Sequence, residues 1–169
     1  MTSPFLTNDE MLVWRSLMIL TRQGLPQLEP TFQRRGLIAL DYSILVAVAE
    51  EPEGRMSAGE LAEILGVTPS RLSHRLRKRE AAGEVTRTAA AADARRVTIA
   101  ITDKGRDIVA MVTDQHREDI RRLVLDPLDG PEQTAELARA LARIATRITD
   151  HPYLTQYVPE AASSPERAG

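Results

Sequence analysis

Two helix-start signals stand eleven residues apart in the middle of this chain, at Ser57 and Thr68, with a glycine between them, and they leave few folds open. The Ser57 hydroxyl can accept a backbone N–H from the first turn of Ala58-Gly59-Glu60-Leu61, and Glu60 stands at the capping-box spacing. Leu61, Ile64 and Leu65 then share one face, and Gly66 closes the segment. Thr68-Pro69 opens the next helix, with proline at the first helical position, where its missing N–H is harmless. That helix is predicted to run to about Ala82, with Leu72 and Leu76 facing inward and Gly83 as its stop. Two helices joined by so short a turn must cross steeply and share one core.

The flanking segments extend the pattern. Val85-Thr86-Arg87 reads as a short strand, and Val97, Ile99 and Ile101 alternate with polar or small residues to give a second. The link over 89–95 is small and polar, with no apolar anchor. Upstream, Asp41 is placed to cap a helix carrying Ile44, Leu45 and Val48, which ends before Pro52 and Gly54. Helix, helix, tight turn, helix and hairpin, in that order, make a winged helix-turn-helix, expected over residues 40–102. In such a unit the second of the close helices lies in the DNA major groove and the hairpin forms the wing.

Longer helices are expected outside this unit. One starts with Asn8 or Asp9 as its cap and runs towards Gly24, with Met11, Trp14, Met18 and Leu25 on one face. Leu12, Leu17 and Leu20 widen that face enough for two partners, and Pro26 and Pro30 bend, break or restart the segment. Thr102 caps a helix to about Leu125, a break follows over 127–131, and a last helix over about 132–149 is expected to bury Leu137, Leu141, Ile144 and Ile148. The outer helices hold more apolar surface than a winged domain of about 60 residues can cover, which predicts a homodimer. Aromatic residues are only 4% of the chain, so the core is left to Leu, Ile, Val and Ala. The expected fold is mainly α with a small β-wing. Its parts are an N-terminal dimerisation helix and linker (1–39), the winged helix-turn-helix (40–102), C-terminal dimerisation helices (103–158) and a disordered tail (159–169).

A net charge of −2 looks unsuited to nucleic acid, but the charge is unevenly spread. Between Val67 and Arg96 stand eight cations (Arg71, Arg75, Arg77, Lys78, Arg79, Arg87, Arg95 and Arg96) against Glu80, Glu84 and Asp93, a net +5 that leaves −7 on the rest. A basic patch on an acidic body supplies an oriented field for phosphate. On a helical wheel, Ser70, His74, Arg77 and Ala81 lie opposite Leu72 and Leu76, with Arg71, Ser73 and Lys78 on the flanks. Hydroxyls, forked cations and small residues are what a groove-reading surface requires. The candidate DNA-binding residues are therefore Thr68, Ser70, Arg71, Ser73, His74, Arg77 and Lys78 on the helix, and Arg87, Arg95 and Arg96 on the wing. Arg77 is best placed for a guanine, Lys78 and Arg87 for phosphates, and Arg95 for the minor groove from the wing tip.

Several motifs here resemble one family. Ser57-Ala58-Gly59-Glu60-Leu61-Ala62, then Leu65-Gly66-Val67-Thr68-Pro69-Ser70-Arg71-Leu72-Ser73-His74, then Gly83, Val85 and Arg87, are similar to the core of the multiple antibiotic resistance regulator (MarR) family. More specific are Asp93-Ala94-Arg95 and the helix start Ile101-Thr102-Asp103-Lys104-Gly105. The resemblance covers about 65 residues within 40–107; the flanking helices match in order and length. It implies a homodimeric transcription regulator that binds a pseudo-palindromic operator in double-stranded DNA, with the first and last helices interleaved between protomers. It also implies release by a small effector, often phenolic or aromatic, bound between the dimer and DNA-binding lobes. Two positions depart from the pattern: the family usually has an apolar residue where this chain has Arg79, and commonly one where it has Glu84. Arg79 falls within the inward stripe, so it must reach past the core to solvent or pair with an acid.

Other functions find less support. The chain has no cysteine, which removes disulfides, thiolate catalysis and cysteine-based zinc sites. No Gly-rich phosphate loop, nucleophile–base pair or paired carboxylate is visible, so the chain is not read as an enzyme, and no cofactor is expected. His74, His116 and His151 fall on different elements without metal-ligand spacing. Residues 1–8 lack the basic start and apolar run of a secretory signal, and no apolar stretch is long enough for a membrane; the expectation is a cytoplasmic protein. The alternative reading is a winged-helix module that binds protein rather than DNA, in which Arg95 at a wing tip has no evident purpose. Trp14 beside Arg15 could floor an effector pocket or pack in the dimer core, and Tyr42 could line the crevice or pack behind the helix-turn-helix.

Overall fold

The computed structural model describes residues 6–90 and 93–155; at 90 and 93–96 it describes the backbone alone. Helix α1, Asn8–Ile19, is started by Thr7 rather than by Asn8 or Asp9. The Thr7 hydroxyl accepts the Glu10 N–H at 3.2 Å and Glu10 Oε2 accepts the Thr7 N–H at 2.7 Å, a complete capping box. Asp9 and Glu10 thereby sit in the first turn, where the helix dipole favours acids. The chain keeps winding through a wide turn, Leu20–Gly24, and a tight one, Leu25–Leu28, into the short helix α2, Glu29–Gln33. Pro26 and Pro30 each stand at the start of a new turn, so they restart the helix rather than end it.

Helix α3, Ala39–Glu50, begins earlier than its sequence signal indicated. Asp41 is not the cap but the third residue of the helix, and it reaches back to accept the Ile38 N–H at 3.0 Å. The chain then turns at Gly54, whose φ is +62°, into strand β1, Arg55–Ser57. Helix α4, Ala58–Ile64, starts at Ser57, whose hydroxyl accepts the Glu60 N–H at 3.1 Å. Helix α5, Pro69–Ala81, follows from Thr68, and Gly83 (φ +73°) stops it. Strands β2, Val85–Ala90, and β3, Asp93–Ile101, form an antiparallel hairpin with Val85 opposite Ile101 and Arg87 opposite Ile99. The sheet has three strands in the order β1-β3-β2, not the two expected from alternation, because β1 pairs with the far edge of β3.

Ile44, Leu45, Val48, Leu61, Leu72, Leu76, Val85 and Ile99 are all essentially buried, so α3, α4, α5 and the sheet close over one aliphatic core. Each such side chain contributes about 1.5–3 kcal/mol by leaving water. A smaller cluster of Phe32, Leu37 and Val112 joins α2 to helix α6, Asp103–Ile120.

The start of α6 is locked onto the end of α5. The Thr102 hydroxyl donates to the Gly83 carbonyl at 2.8 Å and accepts the Gly105 N–H at 3.1 Å, and Lys104 Nζ donates to the Ala82 carbonyl at 2.6 Å. A side chain at Gly105 would place its Cβ 2.3 Å from the Glu84 carbonyl oxygen, so only glycine allows this approach. After a wide turn, Arg121–Leu125, come helix α7, Pro131–Ile148, and the short helix α8, Pro152–Thr155.

The expected burial on α7 is not found among the described residues. Leu137 is half-buried, and Leu141, Ile144 and Ile148 are exposed, Ile148 by 79%. Helix α1 likewise buries nothing: Leu12, Val13, Trp14 and Ile19 all face solvent. The periodicity marked apolar stripes, but among the described residues nothing covers them. The tail over 159–169 lies outside the described residues. Among the described residues, no helix is long and apolar enough to cross a membrane.

Candidate nucleic-acid interface

The exposed side of α5 is presented by a chain of local causes. Gly66 takes φ +60° to reverse the chain after α4, the Thr68 hydroxyl accepts the Arg71 N–H at 3.4 Å, and Pro69 sets the first helical φ. Leu72 and Leu76 then seat the helix in the core. On the other side Thr68, Ser70, Arg71, His74, Arg77 and Lys78 are exposed and Ser73 is half-buried. Seven of the ten sequence-predicted residues therefore share one helix and its cap.

The remaining cations divide sharply. Asp41, fully buried on α3, accepts Arg75 Nε on one oxygen at 2.7 Å and the Arg75 terminal nitrogen on the other. Arg79 Nε lies 3.6 Å from the same carboxylate, and Arg79 Nη1 lies 3.0 Å from Glu84 Oε2. The hydrogen bonds from Asp41, reinforced by its charge, outweigh burial and hold the Arg75 guanidinium still more firmly protonated. Arg75 and Arg79 thus hold α5 to α3 and are withdrawn from the basic patch. Arg87 is half-buried, with Nη1 3.6 Å from Glu80 Oε2 and a buried Nε that has no partner among the described residues. Arg95 and Arg96 belong to β3, but their side chains lie outside the described residues. On the described surface of α5 the outward cations are Arg71, Arg77 and Lys78, fewer than the charge count of the segment suggests.

A family model for MarR matches residues 35–96, the stretch that holds α3, the two close helices, β2 and the start of β3. The chain is also 34% identical to AbsC, a MarR family transcriptional regulator from Streptomyces coelicolor, over 86% of this chain and 98% of that one, with a TM-score of 0.76. The chain belongs to the MarR family. Sco3205, a MarR family regulator of the same organism solved in complex with DNA, is 32% identical over 86% of this chain and 94% of that one, again with a TM-score of 0.76. The MarR family protein Rv2887 from Mycobacterium tuberculosis, solved in complex with p-aminosalicylic acid, is 26% identical over 79% of this chain and 95% of that one, at a TM-score of 0.59. No curated protein matches at a significant level.

Against the MarR pattern, the two departures prove to be one feature. Arg79 takes neither an apolar role nor a path to solvent; it is buried and paired with Glu84, the other departure, and with Asp41. Sequence reasoning placed Arg75 in a basic run and missed its partner. The signal was available: Arg75 lies about 60° from Leu72 on the wheel, beside the inward stripe. Asp41 is the one acid on α3 before its last residue. Trp14 is 53% exposed, and Tyr42 lines a crevice beside Phe32 and His116. Among the described residues no cluster of three potential ligands is placed to hold a metal.

Proposed function

We propose that this MarR family regulator works as a homodimer on a pseudo-palindromic operator in double-stranded DNA, placing α5 of each protomer in the major groove. The observation that carries this reading is the sorting of charge on α5: its inward arginines are neutralised by Asp41 and Glu84, while its outward face keeps hydroxyls, His74 and cations. That a relative with 32% identity was solved with DNA supports it. In this reading Arg77 contacts a guanine, Ser70, Arg71, Ser73 and His74 line the base edges, and Thr68, Lys78 and Arg87 meet phosphates. Arg95 and Arg96 serve the wing and the minor groove.

The domain plan follows from the same reading. Residues 40–102 bind DNA, while 1–39 and 103–158 join the protomers through the exposed apolar stripes of α1 and α7. A small effector, for which the p-aminosalicylic acid complex of Rv2887 is the precedent, releases the operator, and such a regulator works in the cytoplasm. The test is fluorescence anisotropy with the DNA upstream of the protein's own gene and a scrambled duplex. Preference for the upstream duplex supports the reading; equal or absent binding contradicts it and favours a protein-binding winged helix.

A further inference from the structure

Helix α7 is fastened to the winged-helix lobe at both of its ends. Among the described residues none of its own side chains is buried, so its place is set by what precedes and follows it. Before it, α6 leaves the lobe from the lock at Thr102, Lys104 and Gly105. After it, residues 149–155 turn back and seat α8 on the same lobe. That return has a local cause. Thr149 is extended (φ −142°, ψ 144°), which ends α7, and its hydroxyl accepts the His151 N–H at 3.1 Å. His151 then caps α8: its Nδ1 accepts the Tyr153 N–H at 3.3 Å, and its carbonyl accepts the Leu154 and Thr155 N–H groups at 3.0 Å. Pro152 stands at the first helical position, where its fixed φ suits the turn.

This single turn aims two side chains at the lobe. Tyr153 and Leu154 are half-buried and pack against the aliphatic core shared by α3, α4, α5 and the sheet. The Tyr153 hydroxyl donates to Oε2 of Glu50, the last residue of α3, at 2.5 Å. Ile64 and Leu65, at the end of α4, border the same side of the lobe, and Gly66 and Thr68 follow at once to start α5. The grip therefore falls beside the turn that sets the direction of α5. A helix of four residues has no stability of its own, so these contacts are what hold it.

A lobe held through α6 alone can swing about the start of that helix. A second attachment, made through α3 and α4, takes that freedom away and orders the lobe before DNA arrives. The consequence lies in the operator's geometry. Two reading helices in successive major grooves stand one helical turn apart, about 34–36 Å. One base pair added between the half-sites moves the second target by about 3.4 Å and turns it by about 35°. A swinging lobe can follow such a change, and a strapped lobe cannot.

We infer that α8 is a strap that fixes α5 relative to the dimerisation helices, and that Tyr153 and Leu154 are positioning residues that make the protein selective for the spacing of two operator half-sites. The inference rests on the reading of the protein as a dimeric DNA-binding regulator. It gives residues 149–155 a part in operator choice without any contact to DNA.

The experiment compares the full-length wild type with Tyr153→Ala combined with Leu154→Ser, on two duplexes. One is the operator in the upstream DNA, with its half-sites located by footprinting; the other has one base pair inserted between them. The wild type should prefer the native spacing about tenfold, and the double variant about threefold or less, while light scattering still shows a dimer. A general loss of stability would weaken both duplexes alike and leave the ratio unchanged. Tyr153→Phe, which removes the hydroxyl alone, should give an intermediate ratio and decides the matter if the double variant does not fold by circular dichroism. A second readout needs no DNA. The chain has no cysteine, so a nitroxide on Ala81→Cys, at an exposed position of α5, labels each protomer once. The distribution of label-to-label distances should be about twice as broad in the strap variant as in its parent. A wild type indifferent to spacing, a ratio that the variants leave intact, or an unchanged width overturns the inference, and so does loss of the dimer in the strap variants. Absence of any label-to-label distance in the parent would overturn the dimeric regulator reading together with it.

Discussion

Arg79 and Glu84 face each other across the turn at Gly83, with Nη1 and Oε2 3.0 Å apart and both residues buried. Each alone looks like an error against its family's apolar preference at that position; together they replace an apolar contact by an ion pair. Asp41 completes the arrangement from α3. Arg79→Met should destabilise the protein by about 3 kcal/mol, because Glu84 is left as a buried charge without its partner. Arg79→Met combined with Glu84→Leu should recover most of that loss, since an apolar pair of similar volume replaces the ions. Denaturant titration of the three proteins at one protomer concentration checks this; a double variant no better than the single would show that the pair is not the reason.

Asp41 does two jobs, closing the first turn of α3 and holding Arg75, so Asp41→Ala should lower both stability and operator affinity. Arg71→Ala, on the exposed face, should lower affinity with a change in stability of no more than about 0.5 kcal/mol. Melting temperature and anisotropy measured together separate the two. If Asp41→Ala keeps full affinity, α5 does not need its anchor to α3.

How far the sequence could be read depended on how local each cause is. The starts at Ser57, Thr68 and Thr102 and the stops at Gly66 and Gly83 were legible because each acts within four residues of itself. Thr7 was missed because Asn8 and Asp9 carry equally good capping groups and only the Glu10 reciprocal bond selects between them. Strand β1 was illegible: Arg55–Ser57 has no alternation of its own and becomes a strand only because Ile99 and Ala100 lie beside it. The exposed face of α5 followed from the wheel, while the pairing of Arg75 and Arg79 with Asp41 did not, because that acid lies 34 and 38 positions back in the chain.

The exposed stripes of α1 and α7 predict the assembly. The wild-type protein should scatter light as a dimer at micromolar concentration, and Leu141→Asp with Ile148→Asp should shift it towards the monomer, since both side chains are bare in the single chain. A wild-type monomer would contradict the dimer; a double variant that remains fully dimeric would remove α7 from the interface.

His116 gives the stability a pH dependence with a definite sign. Its folded-state pKa lies below the ordinary value of about 6.5, with burial as the main cause, so the unfolded chain takes up the proton first. This contribution is whole above about pH 6.5 and is lost as pH falls through the window down to the folded pKa. Asp119, held below the usual carboxylate range first by Thr31 and then by Arg122, loses its contribution only at more acid pH. Melting temperatures between about pH 7.5 and 5.5 should therefore fall less in His116→Phe than in the wild type. An identical decline in both would assign the titration to another group.

In the proposed mode of binding the outward face of α5 reads sequence while the wing holds the backbone. Replacing Arg77 by Ala should cost about 1–3 kcal/mol on the operator and much less on scrambled DNA. Replacing Arg95 by Ala should weaken both duplexes alike and make the salt dependence shallower by about one unit per lost contact. Arg77 is exposed on α5, so the melting temperature of its variant should hold. The decisive measurement is the affinity of Arg77→Ala for operator and scrambled duplexes across a salt series. The expected result is a collapse of the ratio between them at every salt concentration. A ratio equal to the wild type's would contradict it and take sequence reading away from α5.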